Sequence, residues 1–198
     1  MPNWQETDQS QLGEGRLEAN QQAEAQLLIA AQGGDTEAFG QLYEIYAPVI
    51  FRFLYAHLSE RLDAEDLTEE VFLRVWRSLA QYQDQGLPFG AYLFRVARNA
   101  LIDHYRRVRR TEPNLPLEED ILSDGHADPA DAAQAGMENK EIRKMLEGLR
   151  EDYRTVLVLR FINDLSPDET AEAMGKTSGA VRVLQHRALA ALRKMMGS

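Results

Sequence analysis

The sequence lacks several features that define large classes of protein. It contains no cysteine, which excludes a disulfide framework, a zinc–thiolate site and a thiol nucleophile. No apolar run reaches the length of about 18 residues that a membrane span needs, and the N-terminal residues MPNWQETDQS lack the basic start and apolar stretch of a secretory signal. We therefore expect a cytoplasmic protein without membrane contact of its own.

Signatures of catalysis are also missing. The four histidines are scattered without the spacing of metal ligands, and there is no glycine-rich phosphate loop. A nuclease that uses Asp103 with His104, or His57, has no further support in the sequence. We therefore predict that the protein is not an enzyme and that it has no catalytic residue, metal site or cofactor.

The formal net charge of −10 by itself opposes nucleic-acid binding, but the charges are segregated along the chain. Residues 95–110 contain six arginines and one acid, and residues 176–198 contain five basic residues and no acid. Residues 111–141 carry nine acids and one lysine. DNA responds to the local field within about 8–10 Å rather than to the sum over the chain. Both basic segments are therefore candidate DNA-facing surfaces, although either could be a solvated helix face.

Apolar residues recur at helical spacing in the N-terminal half. They follow one another at steps of three and four residues from Phe39 to Leu54 and again from Leu67 to Leu79. Pro48 falls inside the first run and is expected to bend or divide that helix. Glycine and proline break the chain at 86–90, and another helix is predicted from Phe89 to Arg110.

Composition divides the chain into four segments. Residues 1–22, rich in Gln and Glu, are predicted to be a flexible tail. Residues 23–110 form a helical domain, residues 111–136 form a flexible acidic linker with three prolines, and residues 137–198 form a second helical domain. No alternation typical of β-strands occurs. The predicted fold is therefore all-α, with two small helical domains joined by the acidic linker.

The segment from Ser166 to Leu184 has the features of a helix-turn-helix. Ser166 suits an N-cap, Pro167 the first helical position, and Gly175 the positive φ of a tight turn. Several residues at the start and on the outer face of its second helix would lie near a major groove or its phosphates: Thr177, Ser178, Ala180, Arg182, Val183, His186 and Arg187. The alternative is a plain helical hairpin in a bundle.

A helix-turn-helix is shared by repressors, activators and initiation factors, so the N-terminal half must distinguish them. Residues 63–76, DAEDLTEEVFLRVW, and residues 89–107, FGAYLFRVARNALIDHYRR, strongly resemble region 2 of sigma factors. Together with the C-terminal motif, the chain resembles the extracytoplasmic-function (group IV) class of the sigma-70 family, which keeps only regions 2 and 4. The resemblance implies a sigma factor that directs core RNA polymerase to promoters and melts the −10 element. The alternative is a repressor or activator that binds DNA without polymerase.

The resemblance implies that the helix over residues 63–76 docks on the coiled coil of the polymerase clamp. Its acids suit a basic partner surface, although an acidic first turn also stabilises its own helix dipole. The family often has Gln in place of Glu69. The residues expected to contact polymerase are Asp66, Glu69, Glu70 and Arg74.

The resemblance also implies that the helix from Phe89 meets the −10 element. Melted DNA presents unstacked bases, which proteins hold with aromatic walls, polar groups and a basic track for the backbone. The candidates are three aromatic residues, a polar pair and four arginines: Tyr82, Phe89, Tyr92, Asn99, Asp103, Arg95, Arg98, Arg106 and Arg107. By the same resemblance, the preceding loop 83–88 holds a flipped base. In the alternative interpretation, Tyr92 is partly core and Asp103 pairs with a nearby arginine.

For the C-terminal domain the resemblance implies binding to the −35 element and to the polymerase flap. Many relatives carry a basic-Ser-Arg-Leu-His-Arg run where this chain has RVLQHR at 182–187, so the −35 sequence is not predicted. The acidic linker threads toward the active-site and RNA-exit path by resemblance, and a solvated tether is the alternative. The expected partners are core RNA polymerase, promoter DNA and an anti-sigma factor, which usually holds members of the family inactive.

Overall fold

A computed structural model describes residues 22–58, 60–83, 86–111 and 140–196. In these ranges the chain forms helices and no strand, which confirms the all-α prediction. The predicted tail lies outside the described residues except for residue 22, and the predicted acidic linker lies outside them except for residue 111. Both of those residues are helical. None of the helices in the described ranges is long and apolar enough to cross a membrane.

The helices fall into an N-terminal and a C-terminal set. The N-terminal set consists of α1 (residues 22–32), α2 (Thr36–Tyr55), α3 (Arg61–Leu79) and α4 (Phe89–Thr111). The C-terminal set consists of α5 (Lys140–Glu147), α6 (Glu151–Leu157), α7 (Pro167–Met174) and α8 (Ser178–Met196), and α6 continues into a π-helical turn over Val158–Ile162.

Pro48 lies inside α2 and does not divide it, so that part of the expectation was wrong. Leu42 and Ile50, on either side of the proline, are both fully buried. Their packing keeps the helix continuous, which outweighs the loss of one backbone hydrogen bond at the proline. The start of α2 is fixed by Asp35, whose carboxylate accepts hydrogen bonds from two backbone N–H groups of the first turn, at 2.9 and 3.1 Å.

The core of the N-terminal set forms where α2, α3 and α4 pack together. Phe53 of α2 is fully buried and meets the ring of Phe94 edge-on, with 5.6 Å between centroids. Val71 of α3 and Leu101 of α4 are also fully buried. Burial of each such side chain contributes roughly 1.5–3 kcal/mol, so this core fixes the mutual positions of α3 and α4.

The helix-turn-helix forms through the local signals that predict it. The Ser166 hydroxyl accepts from the Glu169 N–H at 3.1 Å, and the Glu169 carboxylate accepts from the Ser166 N–H at 2.7 Å, which completes a capping box. Gly175 ends α7 in the left-handed region, with φ of 62°. Thr177 caps α8, and Val181, which is fully buried, locks α8 against the rest of the C-terminal set.

His57 lies buried where the two sets of helices meet. Its Nδ1 is 2.7 Å from the carbonyl oxygen of Phe53, which can only accept, so the proton of the neutral ring lies on Nδ1. Its Nε2 is 3.1 Å from the hydroxyl of Thr155 and 3.6 Å from the carboxylate of Glu151. Burial lowers the pKa of His57 below its ordinary value, the Glu151 carboxylate opposes that shift, and Arg154 adds to it.

We expect the free energy of unfolding to fall as the pH drops below about 6.5, the ordinary pKa of histidine. Below that pH the unfolded chain takes up a proton at His57 before the folded chain does, and each pH unit costs at most about 1.4 kcal/mol until the lowered folded pKa is reached. Urea unfolding at pH values from about 7 to about 5 measures the slope. The His57→Gln variant is expected to lose this part of the pH dependence, and equal slopes in the two proteins would contradict the assignment.

Candidate nucleic-acid and protein interfaces

One face of α3 is exposed to solvent along the length of the helix. Leu62 and Leu73 are 72% and 55% exposed, which is unusual for leucines in a packed helix. Asp66, Glu69 and Arg77 are exposed at intervening and following positions, at steps of three and four residues. We call these five residues the α3 face. A stripe that combines exposed leucines with charges is typical of a surface that docks on another protein.

Glu70 and Arg74, the other two residues expected to contact polymerase, pair with α4. The Arg74 guanidinium lies 2.6 Å from the Glu70 carboxylate and 3.0 Å from that of Asp103. Arg107 reaches Glu70 at 3.1 Å, and Arg106 reaches Asp103 at 3.9 Å. The hydrogen bond from Arg107, followed by that from Arg74, holds the pKa of Glu70 below its ordinary value. The structure therefore engages Glu70, Arg74 and Asp103 in a network that ties α3 to α4.

A cleft of about 320 Å³ lies between the end of α3, the loop before α4 and the first turns of α4. The residues that line it include Ser78, Tyr82, Leu87, Pro88, Tyr92 and Arg95. The rings of Tyr82 and Tyr92 are 4.7 Å apart, and the Tyr92 hydroxyl lies 2.8 Å from the hydroxyl of Ser78. The Arg95 guanidinium sits 5.4 Å from the Tyr92 ring centroid, close enough for a cation–π contact. We call this the α4 cleft.

Phe89, also predicted to contact the −10 element, is only 4% exposed. Its ring packs among those of Tyr46, Tyr82 and Tyr92, with centroids 5.5–5.8 Å away. The sequence-based assignment of Phe89 to the DNA surface therefore needs correction, because the ring supports the α4 cleft from behind. Tyr92 is half-buried, so the interpretation that it is partly core also holds.

The polar residues predicted on α4 differ in their environments. Asn99 is exposed. Arg95 and Arg98 are half-buried, and each contacts an acid of the C-terminal set: Arg95 lies 2.5 Å from the carboxylate of Glu172, and Arg98 lies 3.7 Å from that of Asp152. The structure therefore places the cationic side of α4 against helices from the other half of the chain.

The residues predicted to meet duplex DNA lie together at the start and on the outer face of α8. All except Ser178 are exposed, as follows: Thr177, Ala180, Arg182, Val183, His186 and Arg187. Ser178 is half-buried, and its hydroxyl donates to the carboxylate of Asp168 in α7. Val183 is 51% exposed. The structure therefore leaves a mixed basic and apolar surface on the second helix of the helix-turn-helix.

Sequence reasoning missed Leu62, Leu73 and Phe161. All three are large apolar residues outside the buried period of their helices, and Phe161 is 55% exposed in the π-helical turn. For α3 the sequence did contain a signal. Ala64, Leu67 and Val71 recur at steps of three and four residues and form the buried face of the helix, and Leu62 and Leu73 fall outside that period. An apolar residue out of phase with its own helix is the pattern that would have found them.

Comparison with known families identifies both halves of the chain. Residues 42–111 match the model of sigma-70 region 2, and residues 139–192 match that of sigma-70 region 4. Two helical regions of these kinds, in this order, define a sigma factor, which is a transcription initiation factor and not an enzyme. The chain belongs to the extracytoplasmic-function (ECF) sigma factors of the sigma-70 family.

Individual relatives agree with this assignment. The chain is 36% identical over 173 residues to the ECF RNA polymerase sigma factor SigD of Mycobacterium tuberculosis, a match that covers 84% of this chain and 81% of SigD. It is 33% identical over 171 residues to the ECF RNA polymerase sigma factor BldN of Streptomyces coelicolor, covering 86% of this chain but 65% of BldN. The fold resembles that of CnrH in complex with the cytosolic domain of CnrY, with a TM-score of 0.67, 25% identity and coverage of 88% of this chain and 97% of that chain.

Proposed function

We propose that this sigma factor links polymerase docking to promoter melting through α3. The observation that carries the proposal is that one helix bears the exposed α3 face and also contributes Ser78, near its C-terminal end, to the α4 cleft. In this proposal the α3 face binds the clamp coiled coil of core RNA polymerase. The α4 cleft holds a base of the −10 strand, and the outer face of α8 contacts the −35 duplex.

The chemistry of the α3 face fits a partner that is basic and partly apolar. Asp66 and Glu69 offer carboxylates, while Leu62 and Leu73 offer apolar area that gains free energy when water is excluded. Glu70 and Arg74 support the face indirectly, because their network holds α3 against α4. We assign the docking contacts to the exposed residues of the α3 face. The sequence alone gave Glu70 and Arg74 the same weight as Asp66 and Glu69.

The chemistry of the α4 cleft fits an unstacked base beside a phosphate. Tyr82 and Tyr92 offer ring faces, and a base stacked on an aromatic ring gains about 1–3 kcal/mol. The Ser78 hydroxyl fixes the Tyr92 ring, and Arg95 lines the cleft and offers a guanidinium group to a backbone phosphate. Asn99 and Arg106 continue an exposed polar surface along α4.

Replacing Tyr92 with alanine is expected to reduce promoter melting by about 5- to 150-fold, because the stacking wall is lost. Tyr92→Phe keeps the ring and loses only the hydrogen bond to Ser78, so it should retain most of the activity. Permanganate reactivity of unpaired thymines measures melting on a promoter fragment with core polymerase and each variant. Equal melting by Tyr92→Ala and the parent protein would contradict base capture in the α4 cleft.

For the helix-turn-helix, Arg187→Ala is expected to weaken promoter use by roughly 1–3 kcal/mol if the guanidinium reads a base edge. A panel of promoters that differ only in the −35 element provides the measurement, and Arg182→Ala is the matched comparison. Loss confined to some −35 sequences indicates base reading, whereas a uniform loss indicates a phosphate contact. No loss for either arginine would contradict the assignment of this face to DNA.

The proposal includes a regulator and a location. Membership of the ECF sigma factors supports an anti-sigma factor as the regulator, and the structure of CnrH, whose fold this chain resembles, likewise contains a second protein, the cytosolic domain of CnrY. We place the protein in the cytoplasm and assign residues 23–110 and 137–198 to its two domains, with 111–136 as the acidic linker.

The alternative function, a repressor or activator that acts without polymerase, is disfavoured by the match to region 2. Such a protein would bind duplex promoter DNA tightly on its own.

A further inference from the structure

Helix α1 reaches the α4 cleft through a side chain at its C-terminal end. The amide nitrogen Nε2 of Gln32 donates a hydrogen bond of 2.8 Å to the backbone carbonyl oxygen of Tyr82, which is 50 residues further along the chain. Tyr82 lines the cleft, and both residues are half-buried. The segment matched to sigma-70 region 2 begins at residue 42, so the contact comes from a helix that precedes that segment.

The turn after α1 fixes the position of Gln32. The N–H of Gly34 donates to the carbonyl oxygen of Ala31 at 3.0 Å. The N–H of Asp35 donates to the carbonyl oxygen of Ala30 at 3.1 Å, which completes the hydrogen-bond pattern of a Schellman motif. Gly34 takes the left-handed conformation that this motif requires, with φ of 93°. Gln32 is therefore the last helical residue of α1, and its side chain extends from a well-defined backbone.

The hydrogen bond from Gln32 satisfies a carbonyl group beyond the end of α3. The N–H of Tyr82 donates to the carbonyl oxygen of Leu79, the last residue of α3, at 3.0 Å. The carbonyl oxygen of Tyr82 lies past the helical hydrogen-bond ladder, and Gln32 supplies a donor for it. The backbone of Tyr82 is thus held between α3 on one side and α1 on the other.

The position of the Tyr82 ring depends on that backbone. The ring centroid lies 4.7 Å from that of Tyr92 and 5.5 Å from that of Phe89. Both contacts come from α4, so they orient the ring but do not fix the peptide that carries it. A binding group that is already ordered loses less conformational freedom when its ligand arrives. The hydrogen bond from α1 therefore prepares one wall of the cleft.

Helix α1 also supports the cleft from behind, through Tyr46. The Tyr46 hydroxyl hydrogen bonds to the carboxylate of Glu24 in α1 and accepts from the backbone N–H of Gly90 in α4. Burial, followed by the hydrogen bond to Glu24, raises the pKa of Tyr46 above its ordinary value, so the hydroxyl keeps its proton and donates to the carboxylate. The Tyr46 ring meets that of Phe89 edge-on, with 5.8 Å between centroids. Helix α1 thus braces both the residue before the cleft loop and the first turn of α4.

We propose that Gln32 is a positioning residue of the −10 site, which holds the Tyr82 ring in place to stack on an unstacked base. This inference rests on the proposed role of the α4 cleft in holding a base of the −10 strand. Gln32 acts through Tyr82 and does not touch the base itself. Removal of its amide lets the Tyr82 peptide shift, so the ring stacks less well although it is still present.

Fluorine NMR tests the positioning in the absence of DNA. All seven tyrosines are replaced by 3-fluorotyrosine, and Tyr82→Phe identifies the resonance of Tyr82. Gln32→Met keeps the length and helix propensity of the side chain and removes only its hydrogen bonding, so we expect the Tyr82 resonance to shift by more than its linewidth. The control Gln26→Met makes the same change at an exposed position of α1 and should leave that resonance unchanged. An unchanged Tyr82 resonance in Gln32→Met overturns the proposal.

Promoter melting with core polymerase tests the role in function. Gln32→Met is expected to lower the permanganate reactivity of the promoter about two- to tenfold, the effect of one hydrogen bond, and Gln26→Met should have no effect. In a Tyr82→Ala background, where the ring is absent, Gln32→Met should cause no further loss. Equal losses in the two backgrounds mean that Gln32 acts elsewhere than through the Tyr82 ring, and they overturn the proposal.

Failure of this inference can be distinguished from failure of the proposed function. If Tyr82→Ala melts promoters poorly but Gln32→Met melts them as the parent does, the cleft holds the base and only the role of Gln32 is overturned. If Tyr82→Ala melts promoters as the parent does, base capture by the Tyr82 ring is itself contradicted. The fluorine resonance decides the positioning of the ring in either case.

Discussion

Replacing Leu73 with glutamate is expected to weaken binding to core RNA polymerase by about 30-fold or more. Leu73 is 55% exposed on the α3 face, between Glu69 and Arg77, and disruption of an apolar interface anchor costs about 2 kcal/mol or more. The new carboxylate would bring an uncompensated charge into the apolar part of the contact. Titration of core polymerase with dye-labelled sigma factor measures the affinity directly.

The chain offers a matched control for this change. Ile45 of α2 is 50% exposed and lies outside the α3 face, so Ile45→Glu introduces the same charge at an equally exposed apolar position. We expect Ile45→Glu to bind polymerase as the parent does, and both variants to unfold at the parent urea concentration. Equal affinities for Leu73→Glu and the parent protein would rule out docking through the α3 face.

Replacing Phe53 with alanine is expected to lower the free energy of unfolding by about 3–5 kcal/mol. Its ring is fully buried against Phe94 and lies 4.7 Å from the ring of His57. The change leaves a cavity where α2 crosses α4, and it loosens the element that carries the α4 cleft. Urea unfolding followed by circular dichroism gives the value.

Phe161→Ala is the control for that experiment, because the same side chain is removed at a position that is 55% exposed. We expect it to change the free energy of unfolding by no more than about 0.5 kcal/mol. If the two phenylalanine variants were equally stable, the packing of α2 against α4 described above would be wrong.

The features that the sequence predicts well are those with local causes. The capping box at Ser166, the proline at the first helical position and the left-handed Gly175 each depend on residues within one turn of the helix. The helix predicted from Phe89 to Arg110 is observed from Phe89 to Thr111 for the same reason.

The features that sequence reasoning could not supply depend on residues far apart in the chain. Asp103 was predicted to meet the −10 element, with pairing to a nearby arginine as the alternative. It does lie 3.9 Å from Arg106 of its own helix, but its shortest ion pair is with Arg74 of α3, 29 residues away. Phe89 looked like a surface aromatic because helical periodicity does not reveal that three tyrosines enclose it. Pro48 was expected to bend or divide α2, because a proline disfavours helix locally. The packing of α2 against other helices, which keeps the helix continuous, involves residues far away in the sequence.

The residues of the candidate sites could also be predicted only in part from the sequence. The residue types for binding polymerase and DNA were visible in the sequence, because charge and aromatic content are read directly. Which of them face solvent was not visible. The structure pairs Glu70 with Arg74 and leaves Leu62 and Leu73 of α3 exposed, and for that reason we propose the exposed residues for docking. The contact of Glu172 with Arg95 joins residues 77 positions apart and had no signal in the sequence.

Transcription from a pool of genomic fragments tests the central claim most directly. Core polymerase is incubated with the pool in the presence or absence of this sigma factor, and the 5′ ends of the transcripts are sequenced. Our account predicts that the protein adds a set of start sites sharing a −10 and a −35 element, and that Leu73→Glu removes this set while Ile45→Glu retains it. No new start sites, together with tight binding of duplex DNA by the protein alone, would contradict the account.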